Sequence, residues 1–138
     1  MAVAALTPRV RTIVICDEAE PSLIEDGVFN LEGVRQHLGA PSFPVHSPLN
    51  VFLLLSSARK GSYPGKVLVV NEKDNRSVRY IKFVAVFGRD NQLLPMYVDI
   101  GNCVFGEAGQ YNFEVYFSAS GSEALKGEHP FTLFAQED

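Results

Sequence analysis

The sequence predicts an all-β fold, an immunoglobulin-like sandwich of two antiparallel sheets built from about eight strands. Three observations carry this. Apolar residues recur with period 2 or in short solid runs rather than at helical spacing. Turn formers punctuate the chain every ten or so residues. Gly109-Gln110-Tyr111 places a tyrosine just behind a glycine at the entrance to the most regular strand, close to a tyrosine corner, in which the phenol reaches back to an upstream backbone group. With 138 residues, 46% of them hydrophobic, the chain suffices for one core and one domain over residues 1–138.

The elements follow in order. Arg11 to Cys16 is a β-branched run that predicts the first strand, closed by Asp17, Glu18, Glu20, Pro21 and Ser22 as an acidic loop. Asp26-Gly27 marks a turn before Val28 to Gly33, so the first two strands form a hairpin. Residues 34–48 hold prolines at 41, 44 and 48 and read as a crossing connection, with a single helical turn at most around Val34 to Leu38. Leu49 to Ser56 and Lys66 to Asn71 are apolar on both faces, as in strands covered from either side. Residues 73–76 turn the chain into Val78 to Phe87, Met96 to Ile100 and Cys103 to Phe105 are weaker strands, and Gln110 to Ser118 alternates most cleanly, with Tyr111, Phe113, Val115 and Phe117 inward. A Gly/Ser-rich turn over 119–128 precedes the last strand, Pro130 to Ala135.

Five segments, in this order, carry a likeness: Ile13-Val14-Ile15-Cys16-Asp17; Asp26-Gly27 with Phe29-Asn30-Leu31; Phe43-Pro44-Val45-His46-Ser47-Pro48-Leu49; Gly109-Gln110-Tyr111-Asn112-Phe113; and Pro130-Phe131-Thr132-Leu133. Together they resemble a family of small bacterial β-sandwich proteins of unknown function. The resemblance implies an immunoglobulin-like sandwich with no assigned activity, and it carries over no catalytic or binding residue.

Composition closes off several chemistries. Twelve basic against 16 acidic side chains give a net charge of −4, which argues against a nucleic-acid surface. No apolar run approaches the roughly 20 residues of a membrane helix, and the first ten residues lack the basic start and apolar core of a secretory leader. A cytoplasmic protein without membrane attachment is therefore expected. Cys16 and Cys103 sit in apolar strands as reduced thiols. The three histidines, His37, His46 and His129, fall on turns or beside prolines, and no serine occupies a G-x-S-x-G elbow, so no catalytic constellation is legible. There is no C-x-x-C or H-x-x-x-H, no glycine-rich loop opens a helix, and no cofactor is expected. Asp17, Glu18, Glu20, Glu25 and Asp26 raise calcium as an option, with a solvated acidic loop preferred because the ligand alternation is missing.

If each connection reverses the chain, loops 17–27, 57–65, 88–95 and 119–128 share one end. On it Arg59, Lys60, Tyr63, Arg89 and Asp90 form the candidate partner surface, next to the acidic loop. The expectation is a non-enzymatic interaction or assembly module that binds a protein through these loops or a sheet edge. Homodimerisation is expected from the outer face of Tyr80, Lys82, Val84 and Val86 and from the two-sided strand Val51 to Leu55. The alternative is a small-molecule, carbohydrate or calcium-binding domain with a cleft lined by Tyr63, Tyr97 and the acidic loop, though no tryptophan offers a sugar platform.

Overall fold

A computed structural model describes residues 7–119 and 121–136. They form nine strands: β1 (Arg9–Pro21), β2 (Phe29–Val34), β3 (His37–Ala40), β4 (Val45–Ser57), β5 (Gly61–Asn71), β6 (Arg76–Phe87), β7 (Gln92–Phe105), β8 (Gly109–Ala119) and β9 (Ser122–Ala135). One sheet has the order β2-β1-β4-β7, the other β3-β9-β8-β5-β6. The all-β, two-sheet expectation holds, with one strand more than the sequence announced.

The core lies between the sheets. Along β4, Leu49, Val51, Leu53 and Leu55 are buried in alternation, and they face Val67 and Val69 of β5, Tyr111, Phe113, Val115 and Phe117 of β8, and Phe131 and Leu133 of β9. Phe105 of β7 ties the layers together: its ring meets Tyr111 edge-on at 4.9 Å between centroids and stacks near Phe131 at 6.0 Å. The Tyr111 hydroxyl donates to the Glu107 carbonyl at 2.8 Å, the backward reach expected of the glycine-led tyrosine. Along one side β6 is joined to β7 by Arg79, whose Nε donates to the Ile100 carbonyl at 2.6 Å.

Four sequence expectations change, each for a tertiary reason. The 34–48 connection does cross between the sheets, but it contains β3, which pairs in parallel with β9 from His37 opposite Thr132 to Ala40 opposite Ala135. Glycine and proline neighbours hide so short a strand, and an edge partner supplies what propensity lacks. The 119–128 segment is strand rather than loop, because β8 offers a ladder that the polar stretch Ser122 to Glu128 completes. Met96 to Phe105 is one strand, its bend absorbed by a register shift at Leu49/Asn50 of β4. The acidic residues 17–21 continue β1 and pair with β2, Glu18 opposite Glu32 and Pro21 opposite Phe29.

That last pairing explains why β4 is apolar on both faces. The far half of the β1–β2 hairpin lies against the outer face of β4 and β7, where Phe29 packs on Phe52 at 5.5 Å and on Tyr97 at 6.1 Å. Part of the apolar surface expected to drive dimerisation is thus covered within the chain. The hairpin base is clamped: Arg35 Nε and Nη2 donate to the two Asp17 carboxylate oxygens at 2.6 and 2.8 Å, and Asn50 Nδ2 donates to the Asp17 carbonyl at 3.1 Å. Arg35 hydrogen bonding holds the Asp17 carboxyl below its ordinary range, against partial desolvation. A lowered folded-state value means the clamp stabilises fully above the free Asp value near 3.9 and fades as pH falls through the folded value. Because both partners are about one-third exposed, the clamp contributes on the order of 1 kcal/mol or less. Asp17→Asn should lower urea-unfolding stability by that amount at neutral pH and by nothing measurable at about pH 2; an equal deficit at both would refute the clamp.

Candidate interaction surface

Two of the expected loops do meet. Lys60 N donates to Asp90 Oδ1 at 2.9 Å and Asn91 N to the Ala58 carbonyl at 3.2 Å, so the β4–β5 and β6–β7 connections are stitched together. Arg59, Lys60, Arg89 and Asp90 are exposed on them. The acidic segment 17–27 is not there. β1 meets β4 with Arg9 opposite Ser56 and Cys16 opposite Asn50, so the strand begins at this end and leaves it before the acidic run starts.

What joins the loops instead is the head of β1. A groove of about 410 Å³ is lined by Thr7, Arg9, Arg11, Ser56, Asn91 and Leu93, among others. Arg11 Nε donates to Ser56 Oγ at 2.9 Å, which lays its guanidinium along the groove, and Leu93 is 60% exposed at the wall. Arg9 and Arg11 therefore line the groove, and the exposed Arg59, Lys60 and Arg89 sit on the loops that supply its Ala58 and Asn91, with the carboxylate of Asp90 engaged by a backbone amide. Among the described residues none of the five makes an ion pair. Ser57 shapes the rim: its hydroxyl donates to the Arg59 carbonyl at 2.8 Å, tightening the turn that displays Arg59 and Lys60. The expected mixed-charge end is, in this structure, a basic one. Sequence reading missed Arg9, Arg11 and Leu93; period 2 would not have placed the two arginines, because the register of β1 on β4 shifts between Val10 and Thr12, at Arg11 itself.

Tyr63 is not a free aromatic. Its hydroxyl donates to the Arg59 carbonyl at 2.9 Å and its ring packs edge-on against Phe87 at 5.8 Å, so it braces the Arg59 turn from behind. Tyr97 does line a cleft with acidic residues. A space of about 280 Å³ between hairpin and sheet is bordered by Glu18, Glu20, Glu32, Tyr97 and Asp99, away from Tyr63. Among the described residues no three His, Cys, Asp or Glu side chains are arranged to hold a metal ion.

The other reactive groups are engaged locally. His46 Nδ1 lies 2.9 Å from Asn102 Nδ2, His129 Nδ1 lies 2.7 Å from the Pro130 carbonyl, and His37 packs on Phe134. Cys16 and Cys103 are free and buried. Burial pushes the Cys103 thiol up to about 12, despite the pull of Arg79, and burial also raises Cys16, so neither is poised as a thiolate. On the second sheet, Tyr80 and Tyr116 flank Lys66, which sits 5.5 and 5.1 Å from their ring centres and pairs with Glu123, filling the aromatic notch with the chain's own cation. Tyr80, Lys82, Val84 and Val86 point outward from β6 as the alternation predicted. Among the described residues no helix is long and apolar enough to cross a membrane.

Set against known proteins, residues 11–126 match the model of a family of unknown function. No curated protein matches.

Proposed function

The chain belongs to the DUF6941 family of unknown function, and on that footing we propose that it is a non-enzymatic interaction module whose basic end takes an acidic, partly apolar segment of a partner protein. The observation that carries this reading is a groove lined by Arg9, Arg11 and an exposed leucine beside loops that display Arg59, Lys60 and Arg89, none of the five in an ion pair among the described residues. Cations left unpaired raise the on-rate and select the sign of the partner. The aliphatic stems of Arg9 and Arg11 beside Leu93 favour a partner that brings apolar side chains along with its carboxylates. A phosphate backbone would leave that apolar wall unused. The loops are held on a rigid scaffold, the usual place for recognition in a sandwich.

The same reading takes the fold as immunoglobulin-like in chain order. It is supported by β4 lying between β1 and β7, by β3 running parallel to β9, and by the Tyr111 phenol reaching back to Glu107. Two free, buried thiols suit a reducing compartment such as the cytoplasm.

The test is fluorescence anisotropy with a labelled synthetic peptide carrying four glutamates around a Leu-Ile pair. Binding should weaken at least tenfold, about 1.4 kcal/mol, in Arg9→Glu/Arg11→Glu. It should also fall as ionic strength rises from about 0.01 to 0.15 M, which shortens the screening length from roughly 30 to 8 Å. Equal binding by the variant, or tighter binding of a single-stranded oligonucleotide of matched charge, would overturn the reading.

A further inference from the structure

We propose that the acidic segment taken by the basic groove is the β1–β2 hairpin of a second copy of this chain, so that copies join head to tail. The inference rests on the reading of the basic end as a docking surface and names its partner.

The hairpin has the complementary chemistry. Residues 17–34 contain six carboxylates and no lysine or arginine, and of these six Asp17 is the one clamped by Arg35. The pairing sets Glu18 directly across from Glu32, a like-charge cross-strand contact that weakens a hairpin in isolation. A local rule broken in this way, with neither glutamate in an ion pair among the described residues, is what a binding element shows when its compensation comes from another molecule.

The tip supplies the apolar part. Leu23 and Ile24 are 102% and 94% exposed, side by side at the turn. They are held in a defined conformation. The Ser22 hydroxyl oxygen accepts from the Ile24 and Glu25 amides at 3.1 and 3.2 Å, and Ser22 N donates to the Val28 carbonyl at 2.7 Å. Gly27 closes the turn at φ +76°, in the left-handed region glycine tolerates. A pre-organised pair of bare aliphatic side chains, edged by Glu25 and Asp26, matches a groove that offers Leu93 and arginine stems edged by guanidinium groups.

A chain cannot satisfy its own groove. Arg9 and Cys16 are seven residues apart on β1, roughly 23 Å at 3.3 Å per residue, and beyond Cys16 the hairpin is pinned through Phe29 to Phe52 and Tyr97. The contact is therefore between copies and heterologous: a joined pair keeps one hairpin and one groove free for further neighbours, which gives rings or open chains rather than a closed two-fold dimer.

Sedimentation velocity on the full chain over a series of concentrations tests this. The average mass of the native chain should rise past that of a dimer at low salt. Arg9→Glu/Arg11→Glu and, separately, Glu25→Lys/Asp26→Lys should each remain monomeric; all four positions are exposed, so folding is untouched. Mixed, these two variants should associate again, because the first retains a working hairpin for the groove of the second, and the reversed charges at the other contact are once more opposite in sign; a mixture that stays monomeric would refute the pairing of hairpin with groove. A native chain that is monomeric throughout yet still binds the acidic peptide refutes head-to-tail assembly and leaves the docking surface standing, whereas failure to bind the peptide removes both. Association unchanged by either reversal places the contact elsewhere, such as the exposed edge of β6, and also refutes the proposal.

Discussion

Phe105→Ala should destabilise the protein by about 3–5 kcal/mol, the range for emptying a large aromatic from a packed core. Against total stabilities of roughly 5–15 kcal/mol for single domains, that is a large share. Phe105 belongs to one sheet and its ring contacts, Tyr111 and Phe131, belong to the other, so the loss falls on the contact between the layers. The cavity opens at the base of Tyr111, whose hydroxyl anchors the turn at Glu107. Urea unfolding followed by tyrosine fluorescence would measure it, with the midpoint moving and the slope held constant. A loss under about 1 kcal/mol would mean that the sheets do not depend on this aromatic bridge.

Gly65→Ala is the second large effect, and it acts by crowding. In β5 a methyl group at this position would fall 2.7 Å from Cζ of Phe83, 3.0 Å from Cε1 of Phe117 and 3.0 Å from the Tyr116 carbonyl oxygen. The two rings already meet edge-on at 5.6 Å, so neither can withdraw without losing the other. The carbonyl is backbone and moves only if β8 moves. Overpacking of this kind costs about 1–3 kcal/mol. Thermal unfolding should show a lowered midpoint, and the double variant Gly65→Ala/Phe83→Leu should recover part of it by freeing space. No destabilisation in the single variant would contradict the close packing of β5, β6 and β8.

The parts of this fold that show in the sequence are those set by local alternation. The inward face of β8, Tyr111, Phe113, Val115 and Phe117, follows from period 2 alone, as does the outward face of β6. What does not show is whatever another strand decides. β3 is four residues long and exists because β9 pairs with it. Its omission has a consequence out of proportion to its length: one strand fewer changes the parity of every later connection, and with it the end of the molecule to which each loop is assigned. Hence the acidic segment looked adjacent to Arg59 and Arg89 when it leaves from the far end of β1. The candidate surface was half legible for the same reason. That Arg59, Lys60, Arg89 and Asp90 lie exposed on neighbouring loops was readable from those loops, Tyr63 turned out to brace the turn behind them, and the placing of Arg9, Arg11 and Leu93 required the register of β1 and β7 on β4. The two-sided apolar character of β4 was visible, but its cause, Phe29 arriving on a folded-over hairpin, was not.

The central claim is that the basic end is where this protein meets its partner, and a chemical-shift map tests it most directly. Backbone amide resonances of the native chain should be followed while the acidic Leu-Ile peptide is titrated in. Shifts should concentrate at Arg9, Arg11, Ser56, Ala58, Lys60, Arg89, Asn91 and Leu93, with the far ends of β5 and β8 unmoved. Shifts centred on the Glu18, Tyr97 and Asp99 cleft or on the Lys66 notch, or none at saturating peptide, would contradict it.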